Sequence, residues 1–103
     1  MKYRVKETDE YVKWFNKEPK KSKQQIIKRV VKIRDEGHFG HINDSLGEGL
    51  SELKFNDGRR IYYIILHLPI DAVILLLGGN KNGQTQDIKK AKSILRKISK
   101  NGP

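Results

Sequence analysis

A chain of 103 residues without cysteine fits one domain, residues 1–103, with one modest core; it excludes disulfides, thiolate chemistry and cysteine-based zinc sites. Its 22 Lys and Arg against 12 Asp and Glu give a net charge of +10, which calls for a polyanion or an acidic protein partner unless it only makes a lysine-rich soluble surface. Met1-Lys2-Tyr3-Arg4 lacks the apolar run of a signal peptide, so the cytoplasm is the expected compartment.

Lys2 to Glu7 alternates, with Tyr3 and Val5 on one side and Lys2, Arg4 and Lys6 on the other, the period of a half-buried strand. Thr8 is placed to cap a short helix with Asp9 and Glu10 in its first turn, suited to the positive end of the helix dipole. Tyr11, Val12 and Phe15 form its expected inner stripe, and Pro19 marks the turn to the next helix. That helix is predicted from Lys20 to Asp35, with Ile26, Ile27, Val30, Val31 and Ile33 as its apolar stripe. Lys28, Arg29, Lys32 and other cations take the remaining positions, and Gly37 is a natural C-cap. His38 to Gly49 carries Gly40, Asn43, Asp44, Gly47 and Gly49 and reads as a loop.

Leu50 to Phe55 is a predicted strand with Glu52 and Lys54 on one side and Leu53 and Phe55 on the other. Asn56-Asp57-Gly58 is a hairpin signal, Arg60 to His67 the next strand, and Leu68 to Ala72 a second turn. Val73 to Leu77 is a continuous apolar run, the mark of a central strand buried on both faces. Ile61 to Gly79 is apolar enough to suggest a membrane span, but His67, Pro69 and Asp71 in its middle would be costly in lipid. Gly78 to Gln84 reads as a polar, glycine-rich loop in which the glycines let the strand end bend toward the site. Thr85 is expected to cap a last helix with Ile88, Ala91, Leu95 and Ile98 on one face, ended by Asn101-Gly102-Pro103. The order is β-α-α-β-β-β-α, an antiparallel meander with helices on at least one face, which is α+β.

Hairpin pairing across Asn56-Asp57-Gly58 brings Lys54 and Arg60 together, and strand order brings Lys81 beside them. Cations gathered at strand ends can hold a phosphate and stabilise the extra charge of a phosphoryl transition state; ordinary solvated strand charges are the plainer alternative. Glu52 shares the face of Lys54 and can serve as a general base or position Arg60 through a salt bridge. The second is favoured, because a carboxylate among cations is a weak base. Tyr62 shares the Arg60 face and can stack on a base, bind phosphate or simply pack in the core. His38 and His41 make a weak metal signal, so no metal or cofactor is expected. Either can act as an acid or base if its loop folds over the site. Gly78-Gly79-Asn80-Lys81-Asn82-Gly83 lacks the spacing of a nucleotide-triphosphate loop. Arg59, Lys89 and Lys90 complete the expected nucleic-acid contacts, the two lysines on an exposed helix face.

Four words, Gly49-Leu50-Ser51-Glu52-Leu53-Lys54-Phe55, Gly58-Arg59-Arg60-Ile61-Tyr62-Tyr63, Leu75-Leu76-Leu77-Gly78-Gly79-Asn80-Lys81 and Asp87-Ile88-Lys89-Lys90-Ala91, make the chain resemble the RelE/ParE superfamily of type II toxins. Within it the chain is most similar to the phage-derived Gp49-like, HigB-like addiction module killer branch, over nearly its whole length. The resemblance implies a RelE-like fold and a growth-arresting toxin neutralised by a cognate antitoxin, often a helix-turn-helix DNA-binding protein. It implies metal-free cleavage of mRNA on the ribosome, the ribose 2′-hydroxyl attacking the adjacent phosphate. By position, Arg60 would stabilise the transition state, Lys54 would bind phosphate or assist proton transfer, and Lys81 would contact phosphate or the leaving group. Two departures stand out. No Tyr or His follows Lys81, and Lys54 stands where arginine is usual, a point charge in place of a fork. The acid or base is left to Tyr62, Glu52 or a loop histidine. A ParE-like inhibitor of DNA gyrase, or a basic RNA-binding domain, is the alternative.

Overall fold

The computed structural model describes residues 1–101; Gly102 and Pro103, expected to stop the last helix, lie outside the described residues. The alternating amino end forms β1 (Arg4–Glu7), followed by α1 (Asp9–Asn16) and α2 (Lys20–Glu36). A two-residue strand, β2 (Ile42–Asn43), precedes β3 (Ser51–Lys54), β4 (Arg59–Leu66) and β5 (Ala72–Asn80). A short 3-10 turn at Lys81–Gly83 leads into α3 (Gln84–Asn101). No helix among the described residues is long and apolar enough to cross a membrane.

The α+β class is as expected, but the sheet is mixed. Its strand order is β1-β5-β4-β3-β2. β2 to β5 are antiparallel, and β1 lies parallel to β5 with Arg4 opposite Ala72 and Glu7 opposite Leu75. The chain reaches that parallel position because two helices and the whole meander intervene between β1 and β5. β2 falls inside the segment expected to be loop, where two residues are too few to show a period.

β5 is buried on both faces from Ala72 to Gly78, which separates two cores. On one side Tyr11, Ile26 and Ile33 pack on Leu53, Ile61, Tyr63, Val73 and Leu75. On the other Ala91, Ile94 and Leu95 pack on Leu50, Tyr62, Ile64, Ile74, Leu76 and Leu77. Each large side chain so buried contributes roughly 1.5–3 kcal/mol. A β-bulge lies between Tyr62 and Tyr63, where Tyr62 faces Leu77 and Tyr63 faces Leu75.

The helix ends follow their chemistry. Thr8 caps α1, its hydroxyl accepting from the Tyr11 N–H at 3.0 Å and donating to the Leu76 carbonyl at 2.6 Å. Gly37 ends α2 in the left-handed region, φ 69°. Three expectations shift. Val12 and Ile27 are 36% and 52% exposed, because the buried stripe runs Tyr11, Trp14, Phe15 on α1 and Ser22, Ile26, Arg29, Val30, Ile33 on α2. Thr85 lies inside α3, and the cap falls earlier, where the Asn80 side chain accepts from the Asn82 N–H at 2.9 Å. The glycine pair is strand, not loop. Gly78 and Gly79 continue β5 opposite Ile61 and Arg60.

Candidate nucleic-acid interface at the strand ends

The β3–β4 turn places Lys54 directly opposite Arg60. It is closed by the Gly58 N–H donating to the Phe55 carbonyl at 3.0 Å, with Gly58 at φ 91°. Lys54, Arg60, Glu52 and Tyr62 share the α3 face of the sheet, as period two requires. Glu52 is fully buried. The Gln84 side-chain amide, on the first residue of α3, donates to both its carboxylate oxygens at 2.9 and 3.1 Å, and Asn43 of β2 donates at 3.4 Å. Arg60 Nε stands 4.0 Å from the same carboxylate with its side chain 13% exposed. That geometry fits a positioning carboxylate, with two neutral amides and one cation around it.

Two buried donors at this spot have no hydrogen-bond partner among the described residues, Arg60 Nε and the Tyr62 hydroxyl. Arg60 Nη1 donates to the Arg59 carbonyl at 3.2 Å. Burial, then the charges of Glu52 and Asp87, hold the Tyr62 phenol well above its ordinary pKa. Tyr62 is fully buried, so it offers no face for a nucleobase to stack on.

The remaining cations divide. Arg59 points to the opposite face, where Glu18 and Asp57 bind it at 2.7 and 2.6 Å; its charge is neutralised there. Lys81 follows β5, its N–H donating to the Gly58 carbonyl at 2.7 Å and its stem lying over Gly58. It lines a cleft with Trp14, Arg59, Asn80 and Asn82. The three strand ends therefore meet as expected, but Lys54 and Arg60 lie on the α3 face while Lys81 borders the cleft on the α1 side. Lys89 and Lys90 are exposed on α3. Paired Lys and Arg with unused donors can bind a phosphate through charge-assisted hydrogen bonds. Among the described residues, no group of His, Cys, Asp and Glu could hold a metal ion.

The model of one protein family, phage-derived Gp49-like proteins, matches residues 13–99. The chain belongs to the phage-derived Gp49-like family. An uncharacterized protein of Haemophilus influenzae is 30% identical over 99 residues, covering 95% of this chain and 98% of its own. The fold of this Gp49-like protein is that of the RelE toxins. A free-state mutant of the E. coli toxin RelE superposes with a TM-score of 0.70 at 14% identity, covering 95% of this chain and 99% of its own. RelE in the archaeal RelE–RelB complex of Pyrococcus horikoshii gives 0.66 at 20%, covering 79% and 97%. The intact E. coli RelBE toxin–antitoxin complex gives 0.65 at 15%, covering 76% and 95%.

Sequence reasoning missed several residues that build the site in this Gp49-like chain. Arg29 sits on the inner stripe of α2, and its guanidinium donates to the carbonyls of Phe39, Lys54 and His41 at 3.0, 2.5 and 2.6 Å. It also lies over the Phe55 ring, 4.7 Å from the centroid. It ties the loop holding His38 and His41 to the end of β3, which leaves both histidines exposed. Its i+3 spacing from Ile26 and i−4 spacing to Ile33 was the available signal. Gln84 and Asn43 gave none, since their partner is distant in sequence. Gly78 and Gly79 carry close approaches: a Cβ on Gly78 would lie 2.1 Å from the Trp14 ring, and one on Gly79 2.0 Å from the Asp87 carboxylate. Burial raises the Asp87 pKa, while Lys90 lowers it.

Proposed function

We propose that this Gp49-like protein is the toxin of a toxin–antitoxin pair and an endoribonuclease that cuts mRNA on the ribosome. The observation that carries this reading is the Lys54–Arg60 pair opposed across β3 and β4, with Arg60 held beside a buried carboxylate that Gln84 and Asn43 anchor. The Arg60 Nε is buried facing Glu52, which orients the guanidinium, and the exposed part of the side chain is left to make charge-assisted hydrogen bonds to a phosphate. In the reaction, the 2′-hydroxyl gives up its proton as its oxygen bonds to the adjacent phosphorus, and the bond to the 5′-oxygen breaks, the departing oxygen taking up a proton, so that a 2′,3′-cyclic phosphate and a 5′-hydroxyl form with no net gain or loss of protons. Charge builds on the non-bridging oxygens, where Arg60 and Lys54 stabilise it. Lys81 is the cation available to the leaving group. Glu52 acts by positioning Arg60. The RelE fold in complexes with RelB supports an antitoxin partner, and the +10 charge suits an acidic surface on it.

One observation favours a second reading. Residues 82–103 hold no Tyr or His, Tyr62 is buried with a raised pKa, and the neighbouring His41, whose carbonyl accepts from the Lys54 N–H at 2.9 Å, is exposed, so the Lys54–Arg60 pair itself contains no dedicated proton-transfer group. A toxin of this fold that inhibits DNA gyrase needs none. Brief induction in bacteria with mapping of new RNA 5′ ends separates the two, with Arg60→Ala as control. New in-frame mRNA ends that vanish in the variant are expected. Growth arrest without new ends would sink the nuclease reading and select gyrase.

A further inference from the structure

Trp14 is the single tryptophan of the chain, and the reaction above makes no use of it. Its indole lies across Gly78, where a Cβ would fall 2.1 to 2.3 Å from three ring carbons. β5 therefore holds one face of a half-buried ring. The ring is the wall shared by two clefts. One, of about 370 Å³, runs along Gly79, Asn80, Lys81 and Asn82. The other, of about 400 Å³, carries Lys13, Lys17 and Lys90. Gly79 is the strand partner of Arg60, so the backbones there are about one strand spacing, roughly 4.8 Å, apart, with the cleft on the α1 side of the sheet end and the Arg60 side chain on the α3 side.

The charges on these walls are sorted. In the first cleft Glu18 and Asp57 bind Arg59, while Lys81 has no ion pair among the described residues. In the second, three lysines, Lys13, Lys17 and Lys90, outnumber two carboxylates, Glu10 and Asp87. An aromatic plane already immobilised by packing, flanked by cations and by the amides of Asn80 and Asn82, meets the two needs of single-stranded nucleic acid. Bases stack on a π-face and the backbone follows positive charge. The ring loses little freedom on binding, because the strand has already fixed it.

We propose that Trp14 is a stacking platform for a nucleobase of single-stranded RNA, across the end of the sheet from Arg60, with Lys81 on one flank and Lys13, Lys17 and Lys90 on the other. This rests on the RNA reading above. The test uses the full chain and a 2′-O-methyl RNA oligonucleotide, which has no free 2′-hydroxyl and cannot be cut. Because there is one tryptophan, its emission reports this subsite directly. Saturable quenching is expected in the wild type, and Trp14→Leu should bind about ten- to a hundredfold more weakly by anisotropy of the labelled oligonucleotide. If Trp14→Leu fails to fold, the wild-type quenching still decides. Binding without any change in Trp14 emission overturns the proposal, as does a response only to a protein partner. Quenching in a protein that makes no RNA ends in cells leaves the platform standing and removes the nuclease reading alone. Cleavage without quenching does the reverse.

Discussion

Replacing Gly78 by alanine puts a methyl group where the Trp14 indole now lies. The new carbon would sit 2.1 Å from the ring, against an ordinary carbon contact of about 3.5–4.0 Å, so the ring must retreat by roughly 1.5 Å. It cannot retreat with its helix, because Thr8 binds α1 to Leu75 and Leu76 through its N–H and hydroxyl. Overpacking of this kind costs about 1–3 kcal/mol, a fall in midpoint of about 4–24 °C for a domain of this size. In a Trp14→Ala background the methyl enters vacant space, and its cost should drop below about 0.5 kcal/mol. Urea and thermal unfolding of the four proteins, followed by circular dichroism, closes the cycle. A Gly78→Ala protein as stable as wild type, or strictly additive effects of the two substitutions, would refute the argument that indole and strand are in direct contact.

Arg29→Met keeps the stem and strips three carbonyls of their donor; it should cost about 2–4 kcal/mol in urea unfolding and speed amide exchange over residues 38–41. Arg29→Lys should recover little of it, since the three donors of an ammonium leave one nitrogen and cannot span carbonyls that Nε, Nη1 and Nη2 reach separately, and full recovery would contradict this account. Burial raises the Tyr63 phenol from 10.0 to about 12. A folded pKa above the unfolded one keeps its stabilisation intact below pH about 10 and loses it as pH rises through about 12. Denaturation from pH about 9 to about 12 should therefore show falling stability, with a shallower fall in Tyr63→Phe. Some slope should persist, because burial also raises Tyr11 and Tyr62. An identical slope in Tyr63→Phe would remove Tyr63 from the explanation.

Local chemistry was legible wherever one residue and its near neighbours suffice. Thr8, Gly37 and the Asn56-Asp57-Gly58 turn act through contacts three or four residues away. The Lys54–Arg60 pairing followed from hairpin register alone. What escaped depends on partners far along the chain. Arg29 looked like one more surface cation, because its acceptors are carbonyls on a loop and on β3, and carbonyls leave no mark in a sequence. Glu52 was placed near Arg60, but its burial depends on an amide 32 residues away. The glycine pair misled for a related reason. Glycine serves both bends and close approaches, and only the position of Trp14 and Asp87 distinguishes them. Arg59 and Arg60 are neighbours of one type, yet strand alternation sends one to an ion pair with Glu18 and the other toward Glu52.

The parallel pairing of β1 with β5 joins residues 4–7 to residues 72–75, and Thr8 bonds to a carbonyl 68 residues ahead. A chain made from its amino end presents β1 and α1 first and their strand partner among the last. Until Ala72–Asn80 has emerged, β1 has no ladder and the α1 stripe has no sheet to cover. The hairpin of β3 and β4 can form from local contacts before then, whereas such a distant pairing carries a higher loop-closure cost. The clefts beside Trp14, walled by α1 on one side and the end of β5 on the other, come into being only with that last docking.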